Sequence, residues 1–443
     1  MRIQLSDHFS YGRLLRFVFP SIVMMIFTSI YGVVDGLFVS NFVGKTPFAA
    51  INLIWPVLMA LGALGFMVGT GGSAIIAKTL GEGDRKRANQ IFSMLVVVTV
   101  IGGLLFTLIG MVFLPDVARF LGAKGDMLRD CVTYGRIILA AQSAFMLQNV
   151  FQSLLVTAEK PQLGLAFTVA AGMTNIVLDA LFVAALRWGL IGAALATAAS
   201  QLVGGLAPLL YFLRKNDSLL RLTSFRMDWK ALAKTCTNGS SELMTNLSMS
   251  LVNILYNFQL MRLVGEDGVA AYGVIMYVNF IFIAIFLGYS IGSAPVVGYH
   301  YGAGHRGELK NLLVKSLVLM GGGGIALTAL AEILSAPLSQ MFVGYDQGLM
   351  ELTCRGFRIY ALSFLITGCN IFGSAFFTAL NNGLVSAVIS FLRTLLFQIA
   401  AVLLLPLVWG VDGIWASIVT AELLAFVVTA GFLVKLRGRY HYA

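Results

Sequence analysis

Asn149-Val-Phe151-Gln-Ser153-Leu-Leu-Val-Thr157-Ala158 returns 221 positions later as Asn370-Ile-Phe372-Gly-Ser374-Ala-Phe-Phe-Thr378-Ala379. The same offset lays Val43-Gly44 on Val264-Gly265, Ala49-Ala50 on Ala270-Ala271, and Gly81 and Gly83 on Gly302 and Gly304. It also lays Trp188-Gly189 and Gly192 on Trp409-Gly410 and Gly413. Biased composition does not hold one register over so long a span. The chain is one unit written twice, and in an apolar chain such a duplication implies two membrane lobes that rock against each other.

The composition fixes the solvent. Of 443 residues, 58% are hydrophobic and 11% are charged, and the mean hydropathy is +0.88. A soluble surface needs more charge than that. The runs 46–77, 88–115, 137–158, 188–213 and 268–304 carry no Lys, Arg, Asp or Glu. None alternates like a strand, so the expected fold is an all-α membrane bundle and not a barrel. The net charge of +10 reads as basic loops on the cytoplasmic side, not as a nucleic-acid surface. Met1–Phe17 holds Arg2, Arg13 and Arg16 without a short apolar core and cleavage site, so it is not read as a removable signal peptide. Cys131, Cys236, Cys354 and Cys369 form no CxxC pair and read as packing residues.

The pattern predicts about twelve helices, six per half, at roughly 17–41, 48–78, 90–113, 132–157, 163–186 and 190–213, then 237–262, 269–299, 311–334, 355–378, 384–407 and 411–434. The expected division is a first lobe over 1–213, an interlobe linker over 214–235 and a second lobe over 236–443. Arg85-Lys86-Arg87, Arg306 with Lys310, the Lys and Arg of the linker, and Lys435, Arg437 and Arg439 all fall on one side of a twelve-helix path, with both termini. That side is expected to be cytoplasmic. An even number of helices per half makes the repeat parallel, with its axis along the membrane normal.

Charge at bilayer depth is costly and marks function. Asp35 lies ~27 Å along the first helix and Asp179 ~24 Å along the fifth, so both are expected at one depth in the outer half. Asn175 lies one turn before Asp179 on the same face, and Thr197 starts the returning helix. Two carboxylates, an amide and a hydroxyl at one level suit Na⁺, or a pair that shares protons. The repeat lacks this set: Asp35 maps to Tyr256, Asn175 to Leu396, Asp179 to Ala400 and Thr197 to Ile418. Tyr31, Tyr134, Asn149 and Gln152 extend the first-lobe cavity. Glu242, Asn253, Asn257, Tyr277 and Asn370 are the matching candidates in the second lobe, with Glu242 equally readable as a helix-dipole partner. Arg393 and Glu422 come to similar depths, ~14 and ~18 Å from the cytoplasmic end, and read as a structural ion pair.

These residues resemble the multidrug and toxic compound extrusion (MATE) antiporters, in the prokaryotic branch with an acidic first lobe. The resemblance rests on the two six-helix lobes, Pro20 with Asp35 fifteen residues on, Asn175-Ile-Val-Leu-Asp179 followed by Thr197, and the loop Gly81-Glu-Gly-Asp-Arg-Lys-Arg87. It implies export of lipophilic, often cationic drugs by alternating access, coupled to H⁺ or Na⁺ and with no other cofactor. Residues matching Asp35, Asn175, Asp179 and Thr197 would hold the cation, with Tyr31 and Tyr134 beside them and Pro20 where the first helix bends. The family's other branch uses carboxylates in the seventh and tenth helices. The tenth helix here has no Asp or Glu after Arg358, so that site does not transfer. The implied setting is a prokaryotic inner membrane, and the chain is expected to act as a monomer on drug-like molecules.

Two other readings stand beside this one. A lipid-linked oligosaccharide flippase would need a basic cavity for its pyrophosphate, and this first lobe is acidic. An intramembrane aspartyl protease would use two buried aspartates, and Gly81-Glu82-Gly83-Asp84 fits a Gly-x-Gly-Asp pattern. That string lies in a basic loop, however, and its repeat mate is Gly302-Ala303-Gly304-His305, so it reads as a turn. No catalytic residue is expected, and no phosphate-binding Walker motif is present.

Overall fold

The structure is a computed structural model that describes residues 3–442. Arg2, counted above among the N-terminal basic residues, lies outside the described residues. Among the described residues twelve helical passes follow one another: α1 (Tyr11–Phe42), α2 (Lys45–Gly81), α3 (Arg85–Phe120), α4 (Gly125–Ala140 with Gln142–Thr157), α5 (Pro161–Ala185), α6 (Gly189–Leu213), α7 (Trp229–Leu263), α8 (Glu266–Gly302), α9 (Arg306–Val343), α10 (Gln347–Ala361 with Phe364–Ala379), α11 (Gly383–Trp409) and α12 (Val411–Tyr440). Nine are single helices apolar enough to cross a bilayer, and α4 and α10 are bent pairs, by 55° and 46°. The seventh, α7, carries Lys230, Lys234, Asn238, Glu242, Asn246, Asn253 and Asn257 and is too polar for the same test.

Most helices outrun the apolar stretches that announced them, because polar caps carry them past the bilayer. Ser10, Asp84, Asp228, Asp346 and Asn382 each accept the backbone N–H three residues on, which satisfies a donor that the helix start leaves unpaired. Asp84 is thus a cap in the Gly81–Arg87 turn. Only 214–228 of the expected linker is irregular. Asp228 starts α7 at Trp229, so 229–235 are its first turns.

The bends were not expected, since neither holds a proline. Their cause is repeated in both lobes. Thr107 Oγ donates to Leu139 O at 2.6 Å, and Thr328, its mate at offset 221, donates to Ala361 O at 3.3 Å. Gly103 and its mate Gly324 let the backbone of the next helix press in at the same level. A hydroxyl that takes a carbonyl out of the helical ladder bends a membrane helix without leaving that group unpaired.

The lobes meet along α1 with α8 and α2 with α7, and the last turns of α2 and α8 cross at the basic end. A Cβ on Gly81 would overlap Tyr299 O, and one on Gly302 would overlap Lys78 O. These four residues are two pairs related by the same offset, so the seam itself obeys the internal symmetry. Small residues allow backbones to approach this closely. Every interlobe hydrogen bond among the described residues lies between the end bearing the basic loops and the contact of Ser29 Oγ with Phe280 O at 3.3 Å. The lobes are therefore bolted at that basic end.

The apolar packing is unequal. In the second lobe it is continuous with the seam. In the first lobe it splits into a basic-end part around Phe92, Phe151 and Phe212 and a far-end part around Val39, Ile54, Tyr134 and Val183. The polar site lies where the packing divides.

Candidate functional site

A cavity of about 530 Å³ opens in the first lobe, walled by Tyr31, Asp35, Trp55, Tyr134, Gln148, Asn149, Gln152, Asn175, Thr197 and Gln201. Five helices supply its polar lining, α2 through Asn52. Asp35 comes from α1, Asn149 and Gln152 from beyond the α4 bend, Asn175 from α5, and Thr197 and Gln201 from α6. Asn149 Nδ2 also donates to Gly62 O at 3.3 Å, which ties the wall to α2.

Asn175 Nδ2 donates to Asp35 Oδ1 at 3.3 Å. Asp179 and Thr197 lie beside Asp35, and Tyr134 beside Thr197, without a hydrogen bond joining them. Asp35 faces the cavity, whereas Asp179 is 0% exposed and sits behind it. Both oxygens of Asp179, Oδ1 of Asn175 and Oγ of Thr197 are buried with no hydrogen-bond partner among the described residues. For Asp179 the reason is chemical. Two carboxylates have no hydrogen between them, so they pair only by sharing a proton or a cation. Four unpaired oxygens suit a hard monovalent ion or a proton. No group of three or more His, Cys, Asp and Glu among the described residues is placed to hold a metal. Asp179 also opens a seven-residue π-helical turn, Asp179–Ala185, a widening common at functional sites.

The second lobe fills the matching space with an ion pair. Arg393 Nε donates to Glu422 Oε1 at 2.9 Å and to Oε2 at 3.1 Å, and Asn370 Nδ2 donates to Oε2 at 2.7 Å. Glu422 is 1% exposed. Its mate at offset 221 is Gln201, and that of Arg393 is Gly172. A Cβ on Gly172 would stand 2.8 Å from Tyr31 Cδ1. Where the second lobe has a guanidinium, the first has a glycine against which Phe27 and Tyr31 both seat, Phe27 the closer to that Cβ. Each lobe has thus lost the other's charges.

Of the first-lobe candidates, Tyr31, Tyr134, Asn149 and Gln152 stand on the cavity wall with Asp35, Asn175 and Thr197. Pro20 does not. It lines a separate cavity near the basic end, with Arg16, Phe17 and Lys160, because fifteen residues of helix separate it from Asp35 by ~22 Å. The five second-lobe candidates do not gather into one lining. Asn370 is committed to Glu422. Asn253 accepts from Tyr272 at 2.7 Å. Asn257 is exposed, and Tyr277, 44% exposed, stacks on Phe342. Glu242 feels the charge of Arg393 without forming an ion pair with it. Polar residues on one long helix point in several directions, and their count does not reveal the face.

Trp55, Gln148, Gln201 and Phe280 also line the cavity and were not foreseen. Gln201 was readable as the mate of Glu422. Phe280 was not, since the other lobe contributes it.

Comparison with known proteins agrees with this architecture. The MatE family model matches residues 20–181 and 243–403, one match in each half. The multidrug export protein MepA of Staphylococcus aureus is 21% identical over 430 residues, spanning 96% of this chain and 94% of that protein. MepA of Staphylococcus saprophyticus is similar to the same extent. Among solved structures, an outward-facing multidrug resistance MATE family transporter of the MOP superfamily superposes with a TM-score of 0.93 at 23% identity, covering 98% of both chains. A MATE structure in the straight conformation gives 0.92, again at 23% identity and 98% of both chains.

Proposed function

The chain belongs to the MatE family, a family of membrane transporters rather than enzymes, and from that premise we propose that it is a cation-coupled antiporter that exports lipophilic, often cationic drugs. The observation that carries the coupling is the Asp35–Asp179 pair, present in one lobe only, with the buried inner carboxylate lacking any donor among the described residues. Its basic end faces the cytoplasm of a prokaryotic cell and the cavity faces outward, in keeping with the charge of its loops. It works as a monomer.

In this scheme Asp35 and Asp179 hold a proton or Na⁺ from outside while the lobes are bolted at the basic end. Asn175 and Thr197 supply the remaining oxygens. The loaded pair draws α1 and α5 together, which reshapes the cavity wall at Tyr31 and releases the drug. After the lobes rock, the pair empties inward and Asp35 again favours a cationic drug in the cavity. The ion biases the equilibrium only by its preference for one state. Trp55, Phe48, Phe66 and Phe145 offer ring faces to a flat cation, and Met25 and Met59 adapt to its outline. The first-lobe cavity carries no Lys or Arg, which disfavours a pyrophosphate headgroup and hence the flippase.

The test is efflux of several lipophilic cations from proteoliposomes under an imposed pH gradient or Na⁺ gradient, one at a time. Acceleration by one gradient is expected. Equal efflux with and without either gradient refutes the proposal.

A further inference from the structure

At the basic end the interlobe segment does not hang free. Arg85 Nε donates to Leu219 O at 3.2 Å, Asn89 Oδ1 accepts from Arg221 N at 3.0 Å, and Ser93 Oγ accepts from Thr223 N at 2.8 Å. The segment is thereby laid along the first turns of α3. Beyond Thr223 it lifts away and rejoins α3 where Asp228 N reaches Met94 Sδ at 3.3 Å. The arch borders an open cleft of about 930 Å³ lined by Lys86, Arg87, Arg226, Lys230, Ile91 and Trp229 among others.

Its chemistry is two-faced. Four cations line it against two carboxylates, Asp84 and Asp228. Each carboxylate caps a helix, Asp84 at Arg87 N and Asp228 at Ala231 N, and Asp228 also meets Arg87 at 3.5 Å. Lys86, Arg226 and Lys230 form no ion pair among the described residues. Beside them, Ile91, Met94 and Phe225 give an apolar wall, and Met227 (43% exposed) and Trp229 (70% exposed) stand out from the surface. The cleft lies where α3 and α7 leave the basic end for the bilayer, the level at which tryptophan and lysine settle among lipid headgroups.

We propose that this arch is a binding site for the phosphodiester headgroup of an anionic phospholipid, with Lys86, Arg226 and Lys230 on the phosphate and Trp229 and Met227 against the upper acyl chains. Because 214–228 joins the two lobes, a lipid seated there touches the hinge of the whole molecule. The site is independent of the drug and cation chemistry of the first-lobe cavity.

The experiment uses the purified full-length protein and native mass spectrometry, titrating dioleoyl phosphatidylglycerol or phosphatidylcholine. The wild type is expected to hold one phosphatidylglycerol more tightly than phosphatidylcholine. The triple variant K86Q/R226Q/K230Q is expected to weaken it about tenfold or more, since each basic residue at an anionic surface contributes measurably. K86R/R226K/K230R, which keeps the charge, should retain binding and controls for misfolding. R119Q/R129Q/R136Q, equal in charge change but at the far end, should leave this affinity unchanged. Equal affinity in wild type and K86Q/R226Q/K230Q, equal preference for phosphatidylcholine, or the same loss from the far-end variant overturns the proposal. So does displacement of the lipid by equimolar inorganic phosphate, which would make this a soluble-anion site.

Discussion

Replacing Arg393 by methionine removes one partner of a buried pair and leaves the other in place. The cost follows from the geometry. The Arg393 side chain is 11% exposed and that of Glu422 is 1% exposed, so the screening that makes surface pairs nearly worthless does not act here. The guanidinium approaches both carboxylate oxygens within 3.1 Å. In its absence Glu422 keeps only the amide of Asn370, at 2.7 Å. An uncompensated buried charge of this kind costs about 3–5 kcal/mol. R393M should therefore lose about that much stability, measured by equilibrium unfolding of the protein in detergent with tryptophan fluorescence as the signal. R393M/E422M, which removes both charges, should recover most of the loss, as buried pairs replaced by apolar residues often do. The double variant should also still export drug, because the pair is structural. Stability of R393M within about 1 kcal/mol of wild type, well under the range for a broken buried pair, refutes the reasoning. A double variant that folds well but no longer transports would refute the structural role alone.

Three other perturbations probe the same architecture. Gly302→Val places a branched side chain against Lys78 O and should force the lobes apart at the basic end, widening spin-label distances there; unchanged distances would contradict the seam. Gly172→Leu should displace Phe27 and Tyr31, costing about 1–3 kcal/mol by overpacking and, by moving Tyr31 in the cavity wall, lowering drug affinity in a binding assay, whereas wild-type affinity would show that the two rings do not seat there. Thr107→Val and Thr328→Val each lose a hydroxyl at a bend and should cost about 0.6–2 kcal/mol, the usual range for such bonds in membranes, with similar losses in the two lobes; a loss in one lobe only would mean that the bends are not built alike.

The repeat made the twelve-pass plan and the parallel lobes legible, because a fixed offset constrains the whole chain at once. Asp35, Asn175, Asp179 and Thr197 were legible for a different reason. Charge is so costly in a bilayer that its positions stand out against the apolar background. Their meeting was inferred from depth in the bilayer, with the shared face of Asn175 and Asp179. Depth also brought Arg393 to Glu422. It failed for Asn257 and Tyr277, since rotation about a helix axis is set by packing that no single helix records. The bends at Ala141 and Leu362 were hidden because their cause, a threonine on another helix, lies about thirty residues away in sequence. The division of apolar packing in the first lobe was hidden too, although the exchange of Arg393 for Gly172 and Glu422 for Gln201 carries it in plain sight once the halves are aligned.

The most direct test of the acidic pair is gradient-driven drug efflux from proteoliposomes containing Asp35→Asn or Asp179→Asn, beside wild type, with folding checked by gel filtration. The wild type should be accelerated by a proton or sodium gradient, and each variant should bind drug and remain folded yet show no such acceleration. Undiminished gradient-driven export by either one would contradict the account.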